Sequence, residues 1–504
     1  MTAGRAHDET IDHSPESGPL DLVADAIVPG AIAGIAGGAV FGAAIVQLGT
    51  LDTIASLVRS DSSVVGLAIH VVVAVVIGVG FGLLVWFQRP GVGETLFWGL
   101  AYGALWWLIG AATLLPLLSG KPVAWDVEAA RRLVPSLIGH LAYGGAAGLA
   151  FVAATRRRRN TEDRRPTRGS LARGATAGLV GGLVLAAVLD GQPGRPSISP
   201  AMGVMDRPLA GSVIVLVGLL SGLVFAALYP TGIAGSGPAL VRGMAFGFLM
   251  WLTIGITLVP LAAGDGLRWR VEDLRAGFET LPGYLLFIGA VPALLYQWFT
   301  TLGRSLTSDR HAGGDQDGLG VQGLRAIVAG GAAGLVGGTV FSVVIVQVGD
   351  LPGIASMVAA GSSTVGFILH LATSVLIGIG YGVFFVRRSN DLNSALGWGT
   401  SYGVFWWMMG TLTLLPVLAG GSPQWTVTAA TEAFPALIGH LAYGAFLGVV
   451  FYRLEVRFDP WWVSRNDAET ARADRAAAQL GGSAPALWGL TVLFAVIVPI
   501  LLTP

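Results

Sequence analysis

The chain has no cysteine. That excludes disulfides, thiolate nucleophiles, iron–sulfur ligation and cysteine metal sites together, so any metal or cofactor would have to be held by histidine or oxygen. Charge is scarce too: 12% of the 504 residues are Asp, Glu, Lys or Arg, and the 30 basic and 30 acidic groups cancel. A balanced sum gives no electrostatic ground for a nucleic acid or another polyanionic partner. What the chain has instead is 53% hydrophobic residues and 74 glycines, with a mean hydropathy of +0.70. That places it among all-α polytopic membrane proteins, with the bilayer as its first partner and glycine serving close helix packing. Residues 1–27 are acidic and polar, lack the basic flank and apolar core of a cleavable signal, and are expected to form a disordered cytoplasmic tail.

The chain repeats itself. Gly30, Gly34, Gly38 and Gly42 form a four-residue ladder that returns as Gly174, Gly178, Gly182 and Ala186, and again as Gly330, Gly334, Gly338 and Ser342, in steps of 144 and 300. Such ladders let helices approach closely in lipid. GLAYGALWWLIGAATLLP from Gly99 returns as GMAFGFLMWLTIGITLVP from Gly243 and GTSYGVFWWMMGTLTLLP from Gly399. PSLIGHLAYGG from Pro135 matches PALIGHLAYGA from Pro435, with LPGYLLFIGA from Leu281 between them. Self-similarity at a constant offset is the signature of repeated structural units.

Each unit reads as four helices, giving three parallel units in a pseudo-threefold arrangement at residues 28–155, 172–302 and 326–455. Linkers at 156–171, which is Arg-rich, and 303–325 join them. A polar or interfacial stretch at 456–483 precedes a further apolar run at 484–504, for about 13 spans in all. Each run approaches the ~20 residues that cross a bilayer core. The arginines at 156–159, 164, 165, 168 and 173, with Arg89, Arg242, Arg387 and Arg388, put the linkers in the cytoplasm by the positive-inside rule. The N-terminus is then cytoplasmic, the C-terminus outside, and the protein a multi-pass protein of the cell membrane.

Four of the seven histidines fall inside apolar runs: His70 and His140 in unit 1, and His370 and His440 in unit 3. His70 lies roughly 12 Å below the outer surface at ~1.5 Å per residue. His140, Gln47 and Trp125 fall in the same outer layer, as do His440, Gln347 and Trp425. Intramembrane histidines are functional-site candidates by default. His70 and His370 are the candidate metal ligands, with neutral imidazole suited to haem iron or copper, and Gln47 and Gln347 are candidate orienting acceptors. His140 and His440 divide between ligation and interhelical hydrogen bonding. In unit 2 the equivalent positions are Ile214, Tyr284 and Gly191. If the histidines served packing alone, that unit would be expected to keep them.

Twelve helices in three four-helix units, with histidines on spans two and ten, resemble subunit I of the heme-copper oxidases. The resemblance implies that His70 and His370 are axial ligands of one haem, and that electron-transfer subunits are partners. It also shows departures. The copper-site histidines of spans six and seven and the second histidine of span ten have no counterpart, so oxygen reduction at a binuclear centre is not implied. The GLxYGxxWW and LIGHLxYG segments also look like a family of small four-helix membrane proteins without an assigned activity. Three functions therefore compete: a haem-binding electron-transfer protein, a transporter or channel for a small neutral or weakly acidic solute, and a structural assembly subunit.

Overall fold

The computed structural model describes residues 19–86, 91–156, 165–190, 207–233, 235–307, 319–386, 388–389 and 391–457, together with 487, 490 and 497–502. No strand occurs among them. In lipid every backbone N–H and C=O must be satisfied within its own segment, and apolar runs of this length meet that demand as helices.

Unit 1 holds α1 (Asp25–Leu48), α2 (Ser63–Trp86), α3 (Val92–Leu118) and α4 (Val134–Thr155). Unit 2 holds α5 (Arg168–Asp190), α6 (Leu209–Leu228), α7 (Ser236–Ala262) and α8 (Val271–Leu302). Unit 3 holds α9 (Gly323–Val348), α10 (Ser363–Phe385), α11 (Leu392–Leu418) and α12 (Phe434–Val456). All twelve are long and apolar enough to cross a membrane, so the chain is an all-α polytopic membrane protein. The helix containing α1 begins at Pro19. The polar tail expected over 1–27 is therefore helical from that point, and residues 1–18 lie outside the described residues, as do most of the 456–483 stretch and parts of both linkers.

The first helix of each unit packs between the second and the fourth, and the third packs along the fourth. The glycines decide how close these helices come. A Cβ on Gly78 would run into the backbone of Gly34 and Gly30, and one on Gly99 into the Gly144 carbonyl. Backbones in van der Waals contact supply the dispersion that replaces the hydrophobic effect in lipid.

The third helix of each unit widens into a π-helix, at Trp107–Leu114, Trp251–Leu258 and Trp407–Leu414. Two residues later stands Pro116, Pro260 or Pro416. Proline has no N–H, so the carbonyl four residues before it loses its helical partner. In unit 1 that carbonyl, Ala112, accepts from the Ala124 N–H at 2.8 Å, and in unit 3 Leu412 accepts from the Gln424 N–H at 2.7 Å. The same turn frees a threonine to receive the loop tryptophan. The indole N–H of Trp125, Trp269 and Trp425 donates to Thr113, Thr257 and Thr413 at 3.1, 3.0 and 3.0 Å. The tryptophan–threonine bond of the loop after the third helix is thus written three times.

Unit 2 touches both neighbours. Gly93 of unit 1 lies against the Tyr229 ring of unit 2, while Gly237 and Gly283 of unit 2 lie against Phe385 and Trp425 of unit 3. The C-terminal helix α13 (Val498–Leu502) is buried where the short helices Val127–Arg132, Val271–Gly277 and Val427–Glu432 converge, one from each unit. Arg275 donates from Nη1 to the Leu501 carbonyl at 2.7 Å. Of the run 484–504, only Leu487, Leu490 and 497–502 are described.

Candidate functional site

In unit 1, Gly38 and Gly42 leave room on α1 for an imidazole reaching across from α2. A side chain on Gly42 would meet His70 Nε2 at 3.3 Å. The buried His70 fills that space and donates from Nε2 to the Gly38 carbonyl at 2.9 Å. Phe41 stands edge-on to His70, with centroids 5.6 Å apart, and 4.8 Å from His140. Its ring covers Gly139, where a Cβ would collide with it. His140 turns back on its own helix and donates from Nδ1 to the Ser136 carbonyl at 2.8 Å.

Unit 3 reproduces this arrangement. His370 donates from Nε2 to the Gly338 carbonyl at 2.9 Å, His440 donates from Nδ1 to Ala436 at 2.8 Å, and Phe341 lies 5.2 and 4.6 Å from the two rings. Ser342, in the place of Gly42, adds a second donor to the Gly338 carbonyl at 2.9 Å.

Tyrosines complete each set. Tyr143 donates to the Ala74 carbonyl at 2.7 Å and Tyr443 to Ser374 at 2.8 Å. Tyr102 and Tyr402 donate to Ile77 and Ile377 at 2.9 and 3.1 Å. Carbonyls already bonded inside a helix thus take a second donor from a neighbouring helix, which is an interhelical tie.

The geometry reassigns the glutamines. The orienting acceptor of each deep histidine is a helix carbonyl. Gln47 and Gln347 are exposed, and Gln47 lies beside Gly266 in the loop after the third helix of unit 2, at 3.7 Å from a Cβ placed there. His70 and His370 each direct Nε2 at a carbonyl of their own unit, which leaves Nδ1 as the unprotonated nitrogen, and a phenylalanine edge stands beside each ring. Among the described residues there is no group of three or more His, Asp or Glu able to hold a metal ion.

Unit 2 shows why its imidazoles could go. Ile214, Tyr284, Phe246 and Phe287 occupy the positions of the two histidines and two tyrosines, and all are buried. Flanked on both sides, this unit packs through apolar area where the outer units use hydrogen bonds.

A polar site absent from the sequence reading lies at the junction of units 1 and 2. Arg242, assigned there to a linker, is buried inside α7, and its Nη2 lies 3.2 Å from Glu94 Oε1 of α3. The guanidinium stands 5.5 Å from the Tyr229 ring centroid. Arg388 of unit 3 reaches the same region. Burial first, and then the charge of Arg242, push its guanidinium down from the ordinary arginine value, and its side chain lies against Gly235, whose φ is +99°. One charged group from each unit thus converges on this junction. The available signal was the repeat itself: Arg242 stands where the other units have Trp98 and Trp398, and Glu94 where they have Pro238 and Ser394.

No family model, no curated protein and no solved structure matches this chain.

Proposed function

We propose that this protein is a non-catalytic scaffold of the cell membrane, an assembly subunit with its N-terminus in the cytoplasm and its C-terminus outside. The observation that carries this reading is that each of the four span histidines donates to a backbone carbonyl and packs against one phenylalanine. His70 and His370 thereby tie the second helix of a unit to the first, while His140 and His440 are held on their own helix against the same phenylalanine. The arginine-rich linkers support the orientation. A haem role rests on topological position alone. A solute pathway along the central axis is disfavoured by α13, buried among the three short helices.

Two measurements test the reading. Protein purified after haem-replete expression is expected to show no Soret band, and a band abolished by His70→Ala with His370→Ala would overturn the proposal. Proteoliposomes are expected to show no solute flux above protein-free vesicles. Flux that follows external pH through the histidine range would instead make the chain a transporter.

A further inference from the structure

The charges that meet at the junction of the units do not cancel. Glu94 and Arg242 neutralise one another at 3.2 Å. Arg388, in the loop between α10 and α11, is partly buried and makes no ion pair among the described residues. The charge that reaches it is that of a second cation, Arg242.

The place where the Arg388 guanidinium lies makes the imbalance larger. A Cβ on Gly235 would stand 2.6 Å from Arg388 Nη2, and Gly235 is the residue that opens α7 without any side-chain cap. The first N–H groups of a helix have no acceptor inside it and carry the positive end of its dipole. Such a helix start favours an anion, and here it meets a guanidinium. Two positive ends thus face one another, with the Arg242 charge nearby, and among the described residues the protein brings no carboxylate to them beyond Glu94. Tyr229, whose ring lies 5.5 Å from Arg242 and which is 4% exposed, has a hydroxyl with no hydrogen-bond partner among the described residues. It is a further donor at the same junction.

Along the same helix faces the junction turns apolar. Residues three and seven positions on share a face of a helix. Counted from Glu94 these are Phe97 and Ala101 of α3, and counted from Arg242 they are Ala245 and Leu249 of α7. With Leu100 and Leu252 they line a groove between units 1 and 2. Uncancelled positive charge at the helix ends, continued by an apolar groove along the helices, matches a molecule with an anionic head and a hydrocarbon tail.

We infer that this junction binds an anionic phospholipid, its phosphate held by Arg388 with Arg242 and the first turn of α7, and an acyl chain lying in the groove between α3 and α7. Guanidinium suits phosphate because its N–H groups form a planar fork. Net negative charge on the head group is what the site selects, since a zwitterionic lipid brings a cation of its own. A free phosphate would meet the guanidinium and leave the groove unused. The inference goes beyond the scaffold reading and does not depend on it.

Arg388→Gln tests it, because it removes a charge that no carboxylate of the described residues balances. Full-length protein is delipidated in detergent and melted with added phosphatidylglycerol, phosphatidylcholine or inorganic phosphate at equal phosphorus concentration. Phosphatidylglycerol is expected to raise the wild-type midpoint, as a ligand of the folded state does, while the other two leave it in place. Arg388→Gln is expected to lose that rise, and to melt at or above the wild type when no lipid is added. Leu249→Trp, which fills the groove and keeps both guanidiniums, is the second variant and is expected to lose the rise as well. No rise with phosphatidylglycerol, the same rise in both variants, or an equal rise with phosphatidylcholine would overturn the inference. An equal rise with inorganic phosphate would overturn the lipid as the occupant and leave a free anion. The optical and flux measurements read the scaffold proposal separately, so either can fail alone.

Discussion

Glu94 and Arg242 form an ion pair 3.2 Å long across the boundary between two repeats, with only 14% and 9% of their side chains accessible. Removing one member leaves a buried charge without its counter-charge, which costs about 3–5 kcal/mol. Glu94→Gln and Arg242→Gln are each expected to destabilise the protein by that order in detergent-based denaturation. Glu94→Gln combined with Arg242→Met is expected to cost less than either alone, because two neutral groups leave no orphaned charge. Additive losses in the double variant would show that the pair is not the relevant interaction.

The histidine ties make a different kind of prediction. Losing the buried partner of a carbonyl costs about 1–3 kcal/mol, so His70→Ala is expected to lower the denaturation midpoint. Unit 2 specifies the remedy, with Ile214 and Ala186 where unit 1 has His70 and Gly42. His70→Ile with Gly42→Ala is expected to be better tolerated than His70→Ala, and a thermal melt of the three proteins checks it.

Close approach of α3 and α4 depends on Gly99 and Gly144, each of which would drive a Cβ into the other's carbonyl. Gly99→Ala is expected to destabilise by about 1–3 kcal/mol through overpacking. Gly110→Ala is the control, since nothing lies within 4 Å of a Cβ there. It is expected to be neutral or slightly stabilising in the same melt.

The tryptophan–threonine bonds separate by burial. Thr413→Val removes the partner of the buried Trp425 indole, at about 1–3 kcal/mol for an unsatisfied donor. Thr113→Val removes the acceptor of the exposed Trp125 indole, whose N–H can turn to other acceptors, and is expected to cost little. Denaturation of the two variants side by side compares them. Equal losses would show that burial of the indole does not set the cost of losing its acceptor.

Much of the architecture was legible before any coordinate. The glycine ladder of α1, the WW segments and the LIGH segments mark three four-helix units, because helix packing in lipid selects small residues at fixed spacing. The grouping of His70 with His140 at one level of the unit was legible too, since helical rise converts position into depth. Their acceptors were not. Gln47 shares that layer with His70 but faces the neighbouring unit, and depth carries no information about direction around a helix axis.

By itself, the sequence determined the membrane class, twelve of the about 13 expected spans, the three-unit repeat and the absence of thiol chemistry, since all of these follow from composition and periodicity. Only the tertiary structure decided what the polar residues touch. It assigned His70 to Gly38, joined Glu94 to Arg242 across 148 positions of chain, and set Leu487 against Gly397. The physical reason is that hydrogen bonds and ion pairs reach about 3 Å, so they are chosen by how helices rotate and close on one another. A linear pattern fixes which faces exist and leaves their pairing to the packed molecule.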